Sequence, residues 1–155
     1  MVHIETSGLI PADRTLVFDY LTSPQHLPEL LQDHIDVEAA QIDQPLKRGA
    51  EIQFVMTRFG ISQPVTLRVE DWLRGTRMVY RQSDGLFNLW IHTMKFEDHG
   101  EHQTRVSDFV DYELPFGLFG HLANDLYVRR NMKQILQSRI ERAKIYFMRK
   151  QDAAS

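Results

Sequence analysis

Asn88-Leu89-Trp90-Ile91-His92-Thr93-Met94-Lys95-Phe96 and, after a polar turn, Thr104-Arg105-Val106-Ser107-Asp108-Phe109-Val110-Asp111-Tyr112-Glu113-Leu114 decide the fold. A strand points alternate side chains to opposite faces. In the first run one face carries Trp90, His92, Met94 and Phe96, an aromatic face with a single titratable group. The second run puts Val106, Asp108, Val110, Tyr112 and Leu114 on one side and Arg105, Ser107, Asp111 and Glu113 on the other, again with one ionisable residue among apolar neighbours. A hairpin turning through Asp98-His99-Gly100-Glu101-His102 pairs residues whose numbers sum to about 200, so His92 falls opposite or diagonal to Asp108 on one face. Two readings follow. The imidazole and carboxylate either satisfy each other inside a core, as buried polar groups must, or form a polar spot in a cavity.

Upstream, period-two alternation persists from Ile35 for about eighty residues, punctuated by turn signals at Pro45-Leu46-Lys47-Arg48-Gly49, Phe59-Gly60, Arg74-Gly75 and Asp84-Gly85. This predicts strands over 35–42, 51–58, 63–72, 77–82, 88–97 and 103–114, and a first strand over 2–10 ended by Pro11. Two short helices fill the space between: one capped by Asp13 and carrying Leu16, Val17, Tyr20 and Leu21, the other carrying Leu27, Leu30 and Leu31. Downstream of Pro115-Phe116-Gly117 comes a long amphipathic helix, beginning near Phe119, with Leu122, Leu126, Met132, Ile135, Leu136, Ile140, Ala143 and Phe147 as its apolar stripe. A stripe of that length needs an apolar partner of equal length, and a curved antiparallel sheet supplies one. The expected fold is therefore α+β, a seven-stranded curved antiparallel sheet wrapped around the C-terminal helix. Residues 1–150 are expected to form one domain and 151–155 a disordered tail.

The strand Trp90-Ile91-His92, the strand Thr104-Arg105-Val106-Ser107-Asp108 and Tyr112-Glu113-Leu114-Pro115-Phe116-Gly117 together resemble the START/Bet-v-type (SRPBCC) helix-grip superfamily, in particular its bacterial polyketide cyclase/dehydrase-like branch. The resemblance covers nearly the whole chain. It implies a cavity between sheet and last helix that takes a hydrophobic or aromatic small molecule such as a lipid, quinone or polyketide-like compound. With the Trp90 face as the concave one, the ligand-binding set is Phe54, Met56, Arg58, Tyr80, Trp90, Met94, Phe96, Val110 and Tyr112, with Leu122 and Leu126 from the helix. A mostly apolar lining with a few convergent polar groups is the composition of small-molecule pockets and equally of an ordinary core.

His92 and Asp108 are the candidate catalytic residues. An imidazole oriented by a carboxylate could act as general base for enolisation or aldol cyclisation, with a tyrosine or arginine stabilising the oxyanion. The same pair could instead anchor a ligand that is bound and not transformed. A third reading is a regulatory module docking on a protein partner through Pro115 to Phe119.

Eighteen Lys and Arg against 21 Asp and Glu give a net charge of -3, so nothing in the bulk charge attracts nucleic acid. Arg129, Arg130, Lys133, Arg139, Arg142, Lys144, Arg149 and Lys150 concentrate on the last helix and read as a solvated face. The absence of cysteine removes disulfides, thiolate metal sites and a cysteine nucleophile. His99 and His102 flank a hairpin tip and read as exposed turn residues, so no metal site and no cofactor is expected. No apolar run reaches the roughly eighteen residues of a membrane span and no basic-then-apolar leader opens the chain, so a cytoplasmic location is expected. Oligomeric state is not fixed by these features.

Overall fold

The computed structural model describes residues 1–115 and 122–154, with side chains for all of these except 39, 40 and 122–125. In order along the chain are β1 (Val2–Ile10), α1 (Arg14–Thr22), a short 3-10 turn (Pro24–His26), α2 (Leu27–Leu31), β2 (Asp36–Ile42), β3 (Glu51–Arg58), β4 (Ile61–Leu73), β5 (Arg77–Asp84), β6 (Leu89–Asp98), β7 (Thr104–Glu113) and α3 (Leu122–Ala154). All seven strands form one curved antiparallel sheet in the order β1-β7-β6-β5-β4-β3-β2. This is the helix-grip arrangement the alternation predicts. α3 runs on through Ala154, so 151–154 continue the helix where a disordered tail was expected; Gln151 in that last stretch donates to the Pro11 carbonyl.

Register decides which side chains share the concave face, because residues directly opposite each other point the same way. Ile4 faces Val110, Val110 faces His92 and His92 faces Tyr80. On the same face, Met94 pairs with both Asp108 and Met78. One layer up, Trp90 pairs with Tyr112. In β4 the pairing slips between Val69 and Asp71, leaving Glu70 as the extra residue of a bulge. Bulges bend a strand and sharpen its twist. This one lets Val65, Val69 and then Trp72 all face inward although the last step is odd.

α1 and α2 close one end. Phe18 lies under Phe96 (ring centroids 5.0 Å apart) and Trp72, and joins Val17, Leu21 and Leu30 in the main core. Asp13 stands at the N-cap of α1 without a side-chain cap hydrogen bond, its carboxylate meeting His102 Nδ1 at 3.0 Å. α3 lies along β1 and buries Ile135, Leu136, Ile140, Ala143 and Phe147. Leu126, expected on the same stripe, is instead 67% exposed. It precedes Lys133 by two turns, and Lys133 is on the outward face; half-buried Val128 and Met132 continue the inward stripe in its place.

The close seat of α3 depends on Gly8. A Cβ at this position would lie 2.7 Å from Ile140 Cγ2, inside any tolerable contact. Gly8→Val should therefore cost about 1–3 kcal/mol as an overpacked contact. Denaturant unfolding is the check, and wild-type stability would mean that the helix does not sit on β1 in this way.

Candidate functional site

At the centre of the concave face is a buried charge cluster. β6 presents His92 and β7 presents Asp108, one step off direct opposition, and His92 Nε2 lies 2.7 Å from Asp108 Oδ1. Arg139 of α3 reaches down onto the same oxygen, Nη2 to Oδ1 at 2.6 Å, and the same nitrogen lies 3.1 Å from Met94 Sδ. Asp108 is 0% exposed, Arg139 4% and the His92 side chain 12%. Such a pair is retained at depth only because each charge meets its opposite.

The charge states follow from the neighbours. Burial works against ionising Asp108, but the Arg139 guanidinium and the hydrogen bond from His92 outweigh it, holding its carboxyl below the usual range. Burial also lowers the His92 pKa below its ordinary 6.5, with Arg139 acting in the same direction and Asp108 only partly opposing them. The imidazole is therefore neutral at pH 7. Its one ring proton sits on Nε2, where the carboxylate accepts it, and Nδ1 is left as an acceptor. Among the described residues, Asp108 Oδ2, Arg139 Nε and Thr6 Oγ1 are buried without a hydrogen-bond partner. Thr6 stands directly opposite Asp108 on β1. Spare hydrogen-bonding capacity thus remains in the middle of an apolar face.

The residues expected to bind ligand divide into two groups. Phe54, Met94, Phe96, Val110 and Tyr112 are buried at 5% exposure or less; Phe96 packs on Phe18, and Tyr112 meets Phe87 edge-on at 5.6 Å. Tyr80 is also buried, and its hydroxyl donates to the Thr22 carbonyl of α1 at 3.1 Å. That proton is committed, and burial pushes the phenol pKa up, so Tyr80 is not free to serve as the tyrosine that would stabilise an oxyanion. Met56, Arg58 and Trp90 are half-buried. Arg58 is tied to Asn131 of α3, Nη2 to Oδ1 at 2.8 Å, and Trp90 leans on Phe87 (5.0 Å) and edge-on toward His92 (6.4 Å). Leu126 points away and lines nothing on this face. The side chain of Leu122 and residues 116–121, which hold all of the docking segment Pro115 to Phe119 except Pro115, lie outside the described residues.

Sequence reasoning missed Arg139, which it assigned to the solvated basic face. A signal was present: Arg139 follows Leu136 by three and precedes Ala143 by four, a core position of the stripe. Phe87 was also missed; with Met132, expected on the stripe but not in the ligand-binding set, it packs against the cluster of Ile4, Val110, Tyr112 and Leu136 beside Trp90.

Two surface clefts of about 580 and 590 Å³ lie elsewhere, the first between α1 and the last turns of α3, the second beside α2 and α3. Neither opens on His92 or Asp108. No group of three or more His, Asp or Glu able to hold a metal occurs among the described residues, and none of their helices is long and apolar enough to cross a membrane.

Residues 1–147 match the family model described as polyketide cyclase / dehydrase and lipid transport. Comparison with curated protein sequences finds no significant match. Among solved structures, the di-domain ARO/CYC StfQ from the steffimycin biosynthetic pathway aligns with a TM-score of 0.77 and 15% identity, over 97% of this chain and 52% of that one. TTHA0849 from Thermus thermophilus aligns at 0.71 and 22% identity over 92% of this chain and 97% of that one. A START superfamily protein from Mycobacterium smegmatis aligns at 0.69 and 11% identity over 92% and 94%. At these identities the likeness is one of fold.

Proposed function

This chain belongs to the polyketide cyclase / dehydrase and lipid transport family, and from that membership and the geometry of the concave face we propose that it binds a hydrophobic or aromatic small molecule, a lipid, quinone or polyketide-like compound. The ligand lies between the sheet and the first half of α3, against Trp90, Met56, Phe87 and Met132. His92 is its polar anchor. The observation that carries this reading is the neutral imidazole at the edge of the buried cluster, its Nε2 proton spent on Asp108 and its Nδ1 lone pair left to accept from a ligand hydroxyl.

The choice between anchor and general base turns on Arg139. In a catalytic dyad the carboxylate stabilises the imidazolium that forms when the base takes a proton. Here that carboxylate already shares Oδ1 with a permanent cation. Asp108 and Arg139 cancel, so protonating His92 would leave a net positive charge at depth. A cyclase or dehydrase mechanism through His92 therefore starts from a poor base, whereas accepting a hydrogen bond needs no charge at all. The geometry supports binding over turnover.

The test compares two ring systems of the same size, a hydroxynaphthoquinone and the naphthoquinone without the hydroxyl, by quenching of tryptophan fluorescence. Saturable binding of both is expected. His92→Leu should weaken the hydroxylated compound by roughly tenfold, the worth of one buried hydrogen bond, and leave the other within a few-fold. Equal effects on both would remove His92 from the anchor role. Conversion of an aromatic polyketone that His92→Leu abolishes would move the assignment to the enzyme reading.

A further inference from the structure

The β3–β4 hairpin turns through two residues, Phe59 and Gly60, flanked by the pair Arg58 and Ile61. Both turn residues have positive φ, 53° and 75°. Such tight hairpin turns favour Asn-Gly or Asp-Gly, because a bulky side chain at the first position is strained in the left-handed conformation. Phe59 bears that strain and gains little from the described residues: it is 81% exposed, and the Arg58 guanidinium lies 4.9 Å from its ring centroid. Ile61 beside it is 72% exposed. A residue unfavourable both in backbone and in burial needs a contact outside the chain to account for it.

The surroundings say what kind of contact. Arg58 and Ile61 share the face of the hairpin that turns toward α3, and Arg58 reaches Asn131, one turn beyond Tyr127. Leu126 and Tyr127 are exposed at 67% and 59%. Asp125 is the one acid in the first turns of α3; from Leu126 to Ile140 the helix carries none, and Arg129, Arg130 and Lys133 are exposed. On the neighbouring strand, Asp36 pairs with Thr57 and so points to the face opposite Arg58 and Ile61. Apolar side chains projecting among cations, on a chain whose net charge is -3, form a local surface that matches the boundary between anionic headgroups and acyl chains. This end is also where α3 begins and where Trp90 and Phe87 are half-buried.

We propose that the β3–β4 tip and the first turns of α3 dock on an anionic lipid bilayer, with Phe59 and Ile61 inserted below the headgroups and Arg129, Arg130 and Lys133 at their level. The docking does not depend on the His92 anchor.

Co-sedimentation with vesicles of phosphatidylcholine, with and without phosphatidylglycerol, tests it. Binding should need the anionic lipid and weaken with salt. Phe59→Asn should lower vesicle binding by roughly tenfold, the equivalent of one buried ring, while raising the melting temperature by about 2 °C because asparagine suits the turn. Arg129→Gln with Arg130→Gln should also lower binding, whereas Arg149→Gln with Lys150→Gln, the same charge loss at the other end of α3, should leave it unchanged. Absence of binding to anionic vesicles, equal losses from the two double substitutions, or wild-type vesicle binding by Phe59→Asn would each overturn the proposal. So would self-association that Phe59→Asn abolishes in a protein that ignores vesicles, since the patch would then be an interface between copies of the chain.

Discussion

Leu136→Asp should leave the chain unfolded at room temperature, while Leu126→Asp on the same helix should melt within a few degrees of wild type. Leu136 is 4% exposed and packs with Ile4, Val110 and Tyr112. Placing a carboxylate there forfeits about 1.5–3 kcal/mol of side-chain burial and adds several more for an unpaired charge in an apolar contact. The sum rivals a typical total stability of about 5–15 kcal/mol. Leu126 is mostly in water, and surface substitutions usually stay within about 0.5 kcal/mol. Circular dichroism melts of the two variants make the comparison. A folded Leu136→Asp would mean that α3 is not gripped by the sheet, and an unfolded Leu126→Asp would restore it to the buried stripe.

That contrast shows what could be read from the sequence. Alternation in β6 and β7 is a property of single strands, so the residues sharing a face with His92 are legible before any pairing is known, and the observed register moved the hairpin sum only from about 200 to 202. Helical phase was equally legible but was read by residue type. Leu126 was placed inside because it is leucine, and Arg139 outside because it is arginine, although the spacing from Leu136 to Ala143 puts Arg139 on the inner stripe. Other features could not be found along the chain. The Thr22 carbonyl that takes the Tyr80 proton is a backbone group brought in by α1, and the bulge at Glu70 depends on the strand opposite. The direction of the His92 shift is hidden along the chain for the same reason. Asp108 alone would raise the imidazole pKa, and only burial together with Arg139 lowers it.

The second large effect is expected at that cluster. Asp108→Asn should cost about 3–5 kcal/mol, since it strands the Arg139 guanidinium at 4% exposure, and Arg139→Met should cost a comparable amount by stranding the carboxylate. Combined, the two substitutions should cost far less than the sum of the single ones, because no buried charge is then left unpaired. His92 gives the wild type a separate dependence on pH. Its folded pKa is lowered, so at pH above 6.5 neither folded nor unfolded imidazole is charged and the stability is fully present. As pH falls below 6.5 the unfolded chain takes up the proton first, and stability is lost down to the folded pKa. The lowered Asp108 carboxyl adds a second loss only below its ordinary 3.8. In Arg139→Met the cation that opposes protonation is gone and Asp108 remains, so the imidazole pKa should rise and the loss just below pH 6.5 should shrink or reverse. Denaturant unfolding from about pH 4.5 to 8 for the wild type and Arg139→Met, with NMR titration of the histidine ring protons, reads both effects. Single variants as stable as the wild type, or a His92 pKa that Arg139→Met leaves in place, would mean that Arg139 does not reach the Asp108 carboxylate, and His92 would again be free to serve as a general base.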